Sequence, residues 1–189
     1  MVLHREDVLS AAEAIVDRDG PDALTMSALA HVLGLRTPSL YNHVASLDAL
    51  RGEIQNRAMA DLGSRFRHTA MGKVGVPGLR ALARTLREFA VVYPGRYNLA
   101  MRAPYDKEAF NAASADATAA LGAIISSFGI NTLAPEAQLA VFAALHGFIA
   151  LENSGLIDDS FDVERIFELV LDMVVDQVNS LVPPDMRAV

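Results

Sequence analysis

Glycine and proline residues divide this 189-residue chain into segments whose apolar residues recur with helical spacing. No segment alternates apolar and polar residues over enough length to form a strand. The first segment has an apolar stripe followed by a glycine: Val8, Ala11, Ala12, Ile15, Val16 and Gly20. The spacing therefore predicts an all-α fold of about nine helices.

Caps and breaks place the other helices. A second begins after Thr25 and ends at Gly34, and a third begins with Thr37 as its cap and Pro38 at its first position. A fourth begins at Ser46. It runs to about residue 68 and is followed by a linker at 69–78, and further helices are predicted at about 77–93, 97–101, 105–128, 135–155 and 162–180. We expect one domain at 1–48, with a linking helix to about 68, and a larger domain at 69–189.

Composition limits the cellular setting. The chain has no cysteine, which excludes disulfides and thiolate metal sites and fits a reducing cytoplasm. Its first residues are charged where a signal peptide is apolar, and the longest apolar run, 139–151, is too short to span a membrane. We expect a soluble cytoplasmic protein with no membrane partner and no cofactor.

The charge balance argues at first against a nucleic-acid partner. The net charge is −7, and residues 1–68 hold seven arginines against nine acidic residues. The N-terminal part is therefore acidic and is no ordinary basic patch.

Two short predicted helices nevertheless meet at LGLRT, residues 33–37, in a tight turn that contains glycine. This arrangement describes a helix-turn-helix unit, whose second helix enters the major groove of DNA. Free backbone N–H groups at the helix starts, Thr25 and Thr37, are suited to contact phosphates.

The third predicted helix has one inward and one outward face. Leu40 and Val44 fall together and must face inward. The outward and flanking positions carry small or hydrogen-bonding groups and no acid: Thr37, Pro38, Ser39, Tyr41, Asn42 and His43. Asparagine bridges adenine N6 and N7, and hydroxyls bind bases or phosphates, which favours DNA contact. Ordinary capping by Thr37, a half-buried Tyr41 and a solvated His43 would explain the same residues without DNA.

Residues 24–50, LTMSALAHVLGLRTPSLYNHVASLDAL, resemble the signature of the TetR family of bacterial transcriptional regulators. The resemblance implies a DNA-binding unit in the first three helices and a C-terminal domain that binds a ligand and dimerises. By position, it also implies a set of DNA contacts: Thr25, Ser27, Arg36, Thr37, Pro38, Ser39, Tyr41, Asn42 and His43.

The sequence departs from this resemblance in its positive charges. Leu47 stands where the family often has a phosphate-binding lysine, and the basic N-terminal arm is nearly absent. With few cations, we expect a shallow salt dependence and weak non-specific binding. Arg36 is then the one cation predicted to lie in the groove.

Two later segments, YPGRYNLAMRAP at 93–104 and LHGFIALENSG at 145–155, resemble the WHG-type C-terminal domain of one branch of the family. The His146–Gly147 pair carries this resemblance, with Phe142 where many relatives have tryptophan.

The larger domain offers candidates for an effector site with apolar walls. The predicted ligand-binding residues are Phe66, Phe89, Tyr93, Tyr97, Met101, Phe110, Phe128, Phe142 and His146. Arg102 and Glu152 are further polar anchors. A helical domain of this size needs about as many apolar side chains for its core, so plain packing stays the alternative.

The last two helices predict a homodimer. One stripe of the final helix holds Val163, Ile166, Phe167, Val170, Met173, Val174 and Val178, and Leu169, Leu171 and Val175 widen it. The preceding helix is apolar nearly all round, with small residues that allow close approach. Such helices must be buried on two sides, as in a four-helix interface. A twofold dimer matches a palindromic operator.

We therefore expect a repressor that a small, largely apolar effector releases from double-stranded DNA. The sequence favours no enzyme, because it has no phosphate-binding loop, no chelating histidine pair and no set of nucleophile and base. A helical ligand-binding or adaptor protein that has lost operator binding is the alternative.

Overall fold

The structure, a computed structural model, describes residues 3–130 and 134–182, and every regular element in these ranges is helical. The α-helices are α1 (Arg5–Asp19), α2 (Met26–Leu33), α3 (Thr37–Leu40), α4 (Leu47–Ala70), α5 (Gly75–Val92), α6 (Pro94–Ala100), α7 (Lys107–Ser126), α8 (Ala134–Asn153) and α9 (Val163–Ser180). A short 3-10 helix, Pro21–Ala23, follows α1. The predicted all-α fold is confirmed over the described residues.

The chain divides into two compact units. The first unit comprises Met1–Asp61 and Val92–Ala115, and the second comprises Leu62–Val91 and Asp116–Val189. The helix α6 lies in the first unit, where it packs on α1 and on the 3-10 helix. The sequence-based division instead groups α6 with everything after residue 69.

The first unit is built around a core that α1, α2, α3 and the start of α4 share. Its buried side chains include the α1 stripe, Leu29 of α2, Leu40 of α3 and Ile54 of α4. Leu99 of α6 completes this core. The helix-turn-helix therefore rests on a continuous apolar base.

The second unit contains the end of α4, together with α5, most of α7, α8 and α9, and α8 packs on α9. Its buried residues include Leu62 and Phe66 of α4, Leu82, Leu86 and Phe89 of α5, Ile124 of α7, Leu145 and Phe148 of α8, and Phe167 and Leu171 of α9. Phe148 and Phe167 meet with ring centroids 5.3 Å apart. The aromatic residues of the second unit thus lie largely in its core.

In the single chain, the predicted apolar residues of α9 divide between a buried and an exposed side. Leu171 and Val175, treated as widening residues, are buried, whereas Met173 of the predicted stripe is 70% exposed. The buried side is centred on Phe167, Leu171, Val174 and Val178. A second apolar side, with Leu169 and Met173, is left on the surface.

The helix α8 is long and apolar enough to cross a membrane by length and composition, the one such helix among the described residues. The prediction that this region is too short to span a membrane considered only the apolar run 139–151. The helix extends beyond that run at both ends. One third of its most apolar window is buried (33%). A mostly buried core helix of a soluble protein passes the same test of length and composition.

Candidate nucleic-acid interface and effector site

The turn between α2 and α3 is fixed by local hydrogen bonds. Thr25 is the N-cap of α2, and its Oγ1 accepts a hydrogen bond from the backbone N–H of Ala28 at 3.1 Å. Gly34 ends the helix with φ 66°, in the left-handed region that favours glycine. The backbone N–H of Leu35 then donates to the Ala30 carbonyl at 2.9 Å. These contacts set the direction in which α3 leaves the turn.

The helix α3 is shorter than predicted, with four residues instead of about seven. Arg36 is its N-cap, Thr37 its first residue and Pro38 its second, which corrects the predicted cap at Thr37. The next residues form hydrogen-bonded turns, because His43 N–H donates to the Leu40 carbonyl at 2.8 Å. Buried Leu40 and Val44 anchor both ends of this stretch, as predicted.

The predicted DNA contacts lie on or next to α2 and α3 of the first unit, and most of them are exposed. Thr25 and Ser27 of α2 are exposed, and so are Pro38, Ser39, Tyr41 and Asn42 around α3. Tyr41, 56% exposed, is the largest apolar group among them. Thr37 and His43 are half-buried. We call these eight residues, together with Arg36, the recognition surface.

Arg36 differs from the other arginines of residues 3–61. Arg5 pairs with Glu53 at 2.7 Å, Arg18 with Asp19 at 2.6 Å, Arg51 with Asp48 at 3.6 Å, and Arg57 with Glu6 at 2.7 Å. Arg36 is exposed, and its guanidinium has no ion pair or hydrogen bond among the described residues. It is therefore the arginine of this region that is available to an anion.

The paired arginines tie helices of the first unit together. Arg57 of α4 contacts both Glu6 and Glu13 of α1, the latter at 3.2 Å. Burial raises the pKa of Glu13 despite the neighbouring Arg57 guanidinium. The hydrogen bond that the Arg57 guanidinium donates to the Glu6 carboxylate raises the pKa of Arg57. These charges hold α4 against α1, so they do not form a basic face.

The structure separates the predicted effector residues between the two units. Tyr93, Tyr97, Met101 and Phe110 belong to the first unit. Phe66, Phe89, Phe128, Phe142 and His146 belong to the second. Phe66, Phe89 and Tyr97 are buried, and the other six are half-buried. Their burial agrees with the core alternative as well as with a ligand site.

Several predicted polar anchors have protein partners. Glu152 binds the guanidinium of Arg87 at 2.7 Å, and Arg102 binds Asp22 at 2.8 Å. The rings of Phe142 and His146 stack with centroids 5.8 Å apart. Burial raises the pKa of the Tyr97 hydroxyl. Among the described residues, no three metal-ligating side chains cluster together.

An apolar surface lies along α8 and α9. It contains a groove of about 400 Å³ lined by Ala137, Ala140, Val141, Ala144, Val170, Met173, Val174, Gln177, Val178 and Leu181. A second groove of about 490 Å³ continues past Gly147 to Leu156 and Phe161. None of the predicted effector residues lines either groove. We call this combined surface the α8–α9 face.

Gln55 is a residue that the sequence analysis missed. It is fully buried on α4 and binds the carbonyls of Leu99 and Arg102, each at 3.1 Å. The signal was present in the sequence, because Gln55 interrupts an apolar stripe that continues at Met59, Leu62 and Phe66. A polar residue in such a stripe points to a specific buried partner.

Comparison with known proteins agrees with the helix-turn-helix geometry. The family model described as "Tetracyclin repressor-like, C-terminal domain" matches residues 79–174. An HTH-type transcriptional regulator of Mycobacterium tuberculosis is 37% identical over 168 residues, which cover 87% of this chain and 77% of that protein. Both segments of the WHG-type resemblance lie inside the matched range, and that subtype stays a prediction.

Solved structures share the fold. A protein of unknown function from Rhodococcus superposes with a TM-score of 0.78 and 20% identity, covering 94% of this chain and 96% of that one. A TetR variant from Acinetobacter baumannii, in complex with minocycline, superposes with a TM-score of 0.72 and 19% identity over 96% and 99% of the two chains. By its domain match and its close relative, this chain belongs to the TetR family of transcriptional regulators.

Proposed function

We propose that this TetR-family regulator is a cytoplasmic repressor that binds a palindromic operator as a homodimer. The recognition surface carries the DNA contacts, with Arg36 as its cation and Tyr41 and Asn42 as base-contacting residues. The exposed, acid-free face of α3, beside the one unpaired arginine of residues 3–61, is the observation that supports this role.

Dimerisation is proposed through the α8–α9 face. Most of its exposed residues are apolar or small, including Met173 at 70% and Leu156 at 73% exposure. Helices with an apolar surface of this kind are stabilised by burial against another apolar surface. A second copy supplies the same surface under twofold symmetry, and its twofold axis matches that of a palindrome.

A small, largely apolar effector is proposed to release the repressor from DNA. The aromatic residues of the second unit, with His146 as a polar contact, are the proposed walls of its site. The fold of a minocycline-bound TetR variant supports a small-molecule ligand in this architecture. An effector that binds better to one spacing of the two recognition surfaces shifts the dimer toward that spacing.

The test is selection of bound duplexes from a random DNA pool with the purified full-length protein. We expect enrichment of an inverted repeat, and we expect Tyr41→Ala and Asn42→Ala each to lose specific binding while remaining dimeric. Glu136→Ala, an exposed residue of α8 in the second unit, is the control and should bind as the wild type does. Unchanged operator affinity in both Tyr41→Ala and Asn42→Ala would contradict the recognition surface.

Failure to enrich any sequence, with the dimer established in solution, would favour the alternative of a helical adaptor that has lost operator binding. The selected operator also provides the assay for effectors, because an effector that releases the protein lowers the bound fraction of labelled duplex.

A further inference from the structure

Arg51 of α4 holds the chain just before α2. Its Nη2 donates a hydrogen bond to the backbone carbonyl of Leu24 at 3.1 Å, across 27 residues of sequence. Leu24 directly precedes Thr25, which is the N-cap residue of α2 and a member of the recognition surface. The contact therefore joins α4 to the start of a helix that is proposed to face DNA.

Arg51 lies between Leu50 and Ile54 in the chain, and both of these residues are buried. Only 19% of the Arg51 side chain is exposed, and its Nε is buried without a hydrogen-bond partner among the described residues. A buried donor without a partner costs free energy, which an apolar side chain of similar length does not. Packing of the core alone therefore does not explain an arginine at this position.

The Leu24 carbonyl is a closer partner of the Arg51 guanidinium than the carboxylate of Asp48. The ion pair to Asp48, on the same helix, is longer at 3.6 Å, and the Asp48 side chain is 72% exposed. A pair of this kind is screened by solvent and constrains its two side chains weakly. The hydrogen bond to Leu24 is part-buried. Arg51 therefore constrains the segment before α2 more than it constrains its own helix.

The direction of the first turn of α2 depends on the position of Leu24. The Leu24 side chain is buried in the core of the first unit. Thr25 then caps the helix, with its Oγ1 accepting from the Ala28 N–H at 3.1 Å. The first backbone N–H groups of a helix have no partner inside it and are suited to bind a phosphate. Where those of α2 point is set by how the chain leaves Leu24.

We infer that Arg51 is a positioning residue of this regulator: by holding the Leu24 carbonyl, it fixes the first turn of α2 and thereby the contact of Thr25 and Ser27 with one DNA phosphate in each half-site. The inference rests on the proposed function for its operator. Arg51 touches neither a base nor a phosphate in this scheme. All four of these residues belong to the first unit.

The test compares Arg51→Met with Arg18→Met on operators in which one backbone phosphate at a time is replaced by an uncharged methylphosphonate. Both substitutions remove one positive charge from the first unit. Arg18 is the matched control, because it is exposed and pairs with its neighbour Asp19 at 2.6 Å. Thr25→Ala identifies the phosphate at α2, since a contact that the substitution has removed cannot be lost again when that phosphate is neutralised.

We expect Arg51→Met to bind the unmodified operator about tenfold more weakly, as for one lost hydrogen bond to a charged group. Its base preferences should remain those of the wild type. The methylphosphonate at the phosphate identified with Thr25→Ala should cost Arg51→Met little further affinity, whereas it should weaken Arg18→Met as much as the wild type. An equal loss in Arg51→Met and the wild type would overturn the inference, because Arg51 would then be only structural.

Arg51→Gln is the second variant, for the case that Arg51→Met does not fold. The glutamine side chain keeps a hydrogen-bond donor at this half-buried position, but it is uncharged and shorter than arginine. We expect the same reduced effect of the methylphosphonate at the α2 phosphate, at smaller size. A wild-type dependence on that phosphate in Arg51→Gln would also overturn the inference.

Hydrogen exchange of the Ala28 amide separates this inference from the proposed function. This amide donates to Thr25 Oγ1, so its exchange reports on the first turn of α2. If the wild type selects no inverted repeat, the proposed function fails, whereas faster exchange in Arg51→Met than in Arg18→Met still supports the hold of Arg51 on α2. Exchange as slow in Arg51→Met as in the wild type and in Arg18→Met would overturn that hold.

Discussion

At the scale of single residues, the pairing of arginines decides which of them is available to an anion. Four of the five in residues 3–61 are bound to carboxylates, and Arg36 is the exception. The sequence predicts Arg36 by position. It could not predict the pairing of Arg57, because Glu6 lies 51 residues away in the chain.

Arg36→Ala should therefore weaken operator binding strongly. We expect the free energy of operator binding to weaken by about 1–3 kcal/mol if Arg36 contacts a base edge. If it contacts a phosphate, the slope of log affinity against log salt concentration should be smaller by about one. The measurement is operator affinity by fluorescence anisotropy across a range of salt concentrations.

Arg18→Ala is the matched control, since it removes the same charge from an arginine that pairs with its neighbour Asp19. It should leave the salt slope nearly unchanged. Equal losses in the two variants would show that only the net charge of the first unit counts.

At the scale of helices, local signals predict most boundaries. The caps at Thr25 and Asp162 and the breaks at Gly20 and Gly34 place α1, α2 and α9 within one or two residues of the observed bounds. The start of α6 could not be predicted in this way. The helices predicted at about 77–93 and 97–101 leave Pro94 outside, yet Pro94 begins α6, whose N-terminal cap Asp17 is 79 residues from Arg96.

The two candidate sites also differ in whether local sequence signals or contacts between distant residues determine them. The exposed face around α3 follows from local periodicity, and Leu40 and Val44 are buried as predicted. The effector residues depend on packing between distant helices, which periodicity does not determine. Aromatic residues with helical spacing, such as Phe66 and Phe89, serve a core and a pocket equally well.

A cluster of charges joins α5, α8 and α9. Arg87 binds Glu152 at 2.7 Å and Glu164 at 2.8 Å, and its guanidinium lies 4.6 Å from the Phe167 ring centroid. The hydrogen bond from Arg87 lowers the pKa of Glu164 below its usual value of 4.5. Arg87 thus anchors the helices that carry the α8–α9 face.

Glu164→Gln should reduce the stability of the protein in a pH-dependent way. A carboxyl whose folded pKa is lowered contributes stability above pH 4.5 and loses it as the pH falls through the folded value. Because Glu164 is largely exposed, we expect a difference of about 0.5 kcal/mol near pH 7 that disappears near pH 3.

Urea unfolding of both proteins at the two pH values gives this difference. Asp176→Asn is the control, because Asp176 is an exposed acid of α9 with no ion pair in the described part of the chain. A Glu164→Gln difference that persists at low pH would contradict an electrostatic origin.

At the scale of the whole molecule, the proposed dimer depends on the α8–α9 face. Met173→Glu should convert the proposed dimer to a monomer, because the interface would bury an unpaired carboxylate. The fold of the single chain should survive, since Met173 is 70% exposed within it. Sedimentation equilibrium measures the mass, and circular dichroism verifies the helices.

Met71→Glu is the matched control. Met71 is 66% exposed and lies between α4 and α5, away from the residues of the α8–α9 face. It should leave the protein dimeric. A dimer that persists in Met173→Glu would place the interface elsewhere, and dissociation in both variants would point to a general effect of charge.

The internal pairing of arginines also bears on how such a repressor finds its operator in a genome. Sliding along DNA depends on contacts to phosphates that are independent of sequence, and most cations of the first unit are occupied by carboxylates. If the proposed function holds, we expect the protein to leave non-operator DNA quickly and to reach new segments through solution. Its search would then proceed by many short visits, with few copies held on the rest of the chromosome.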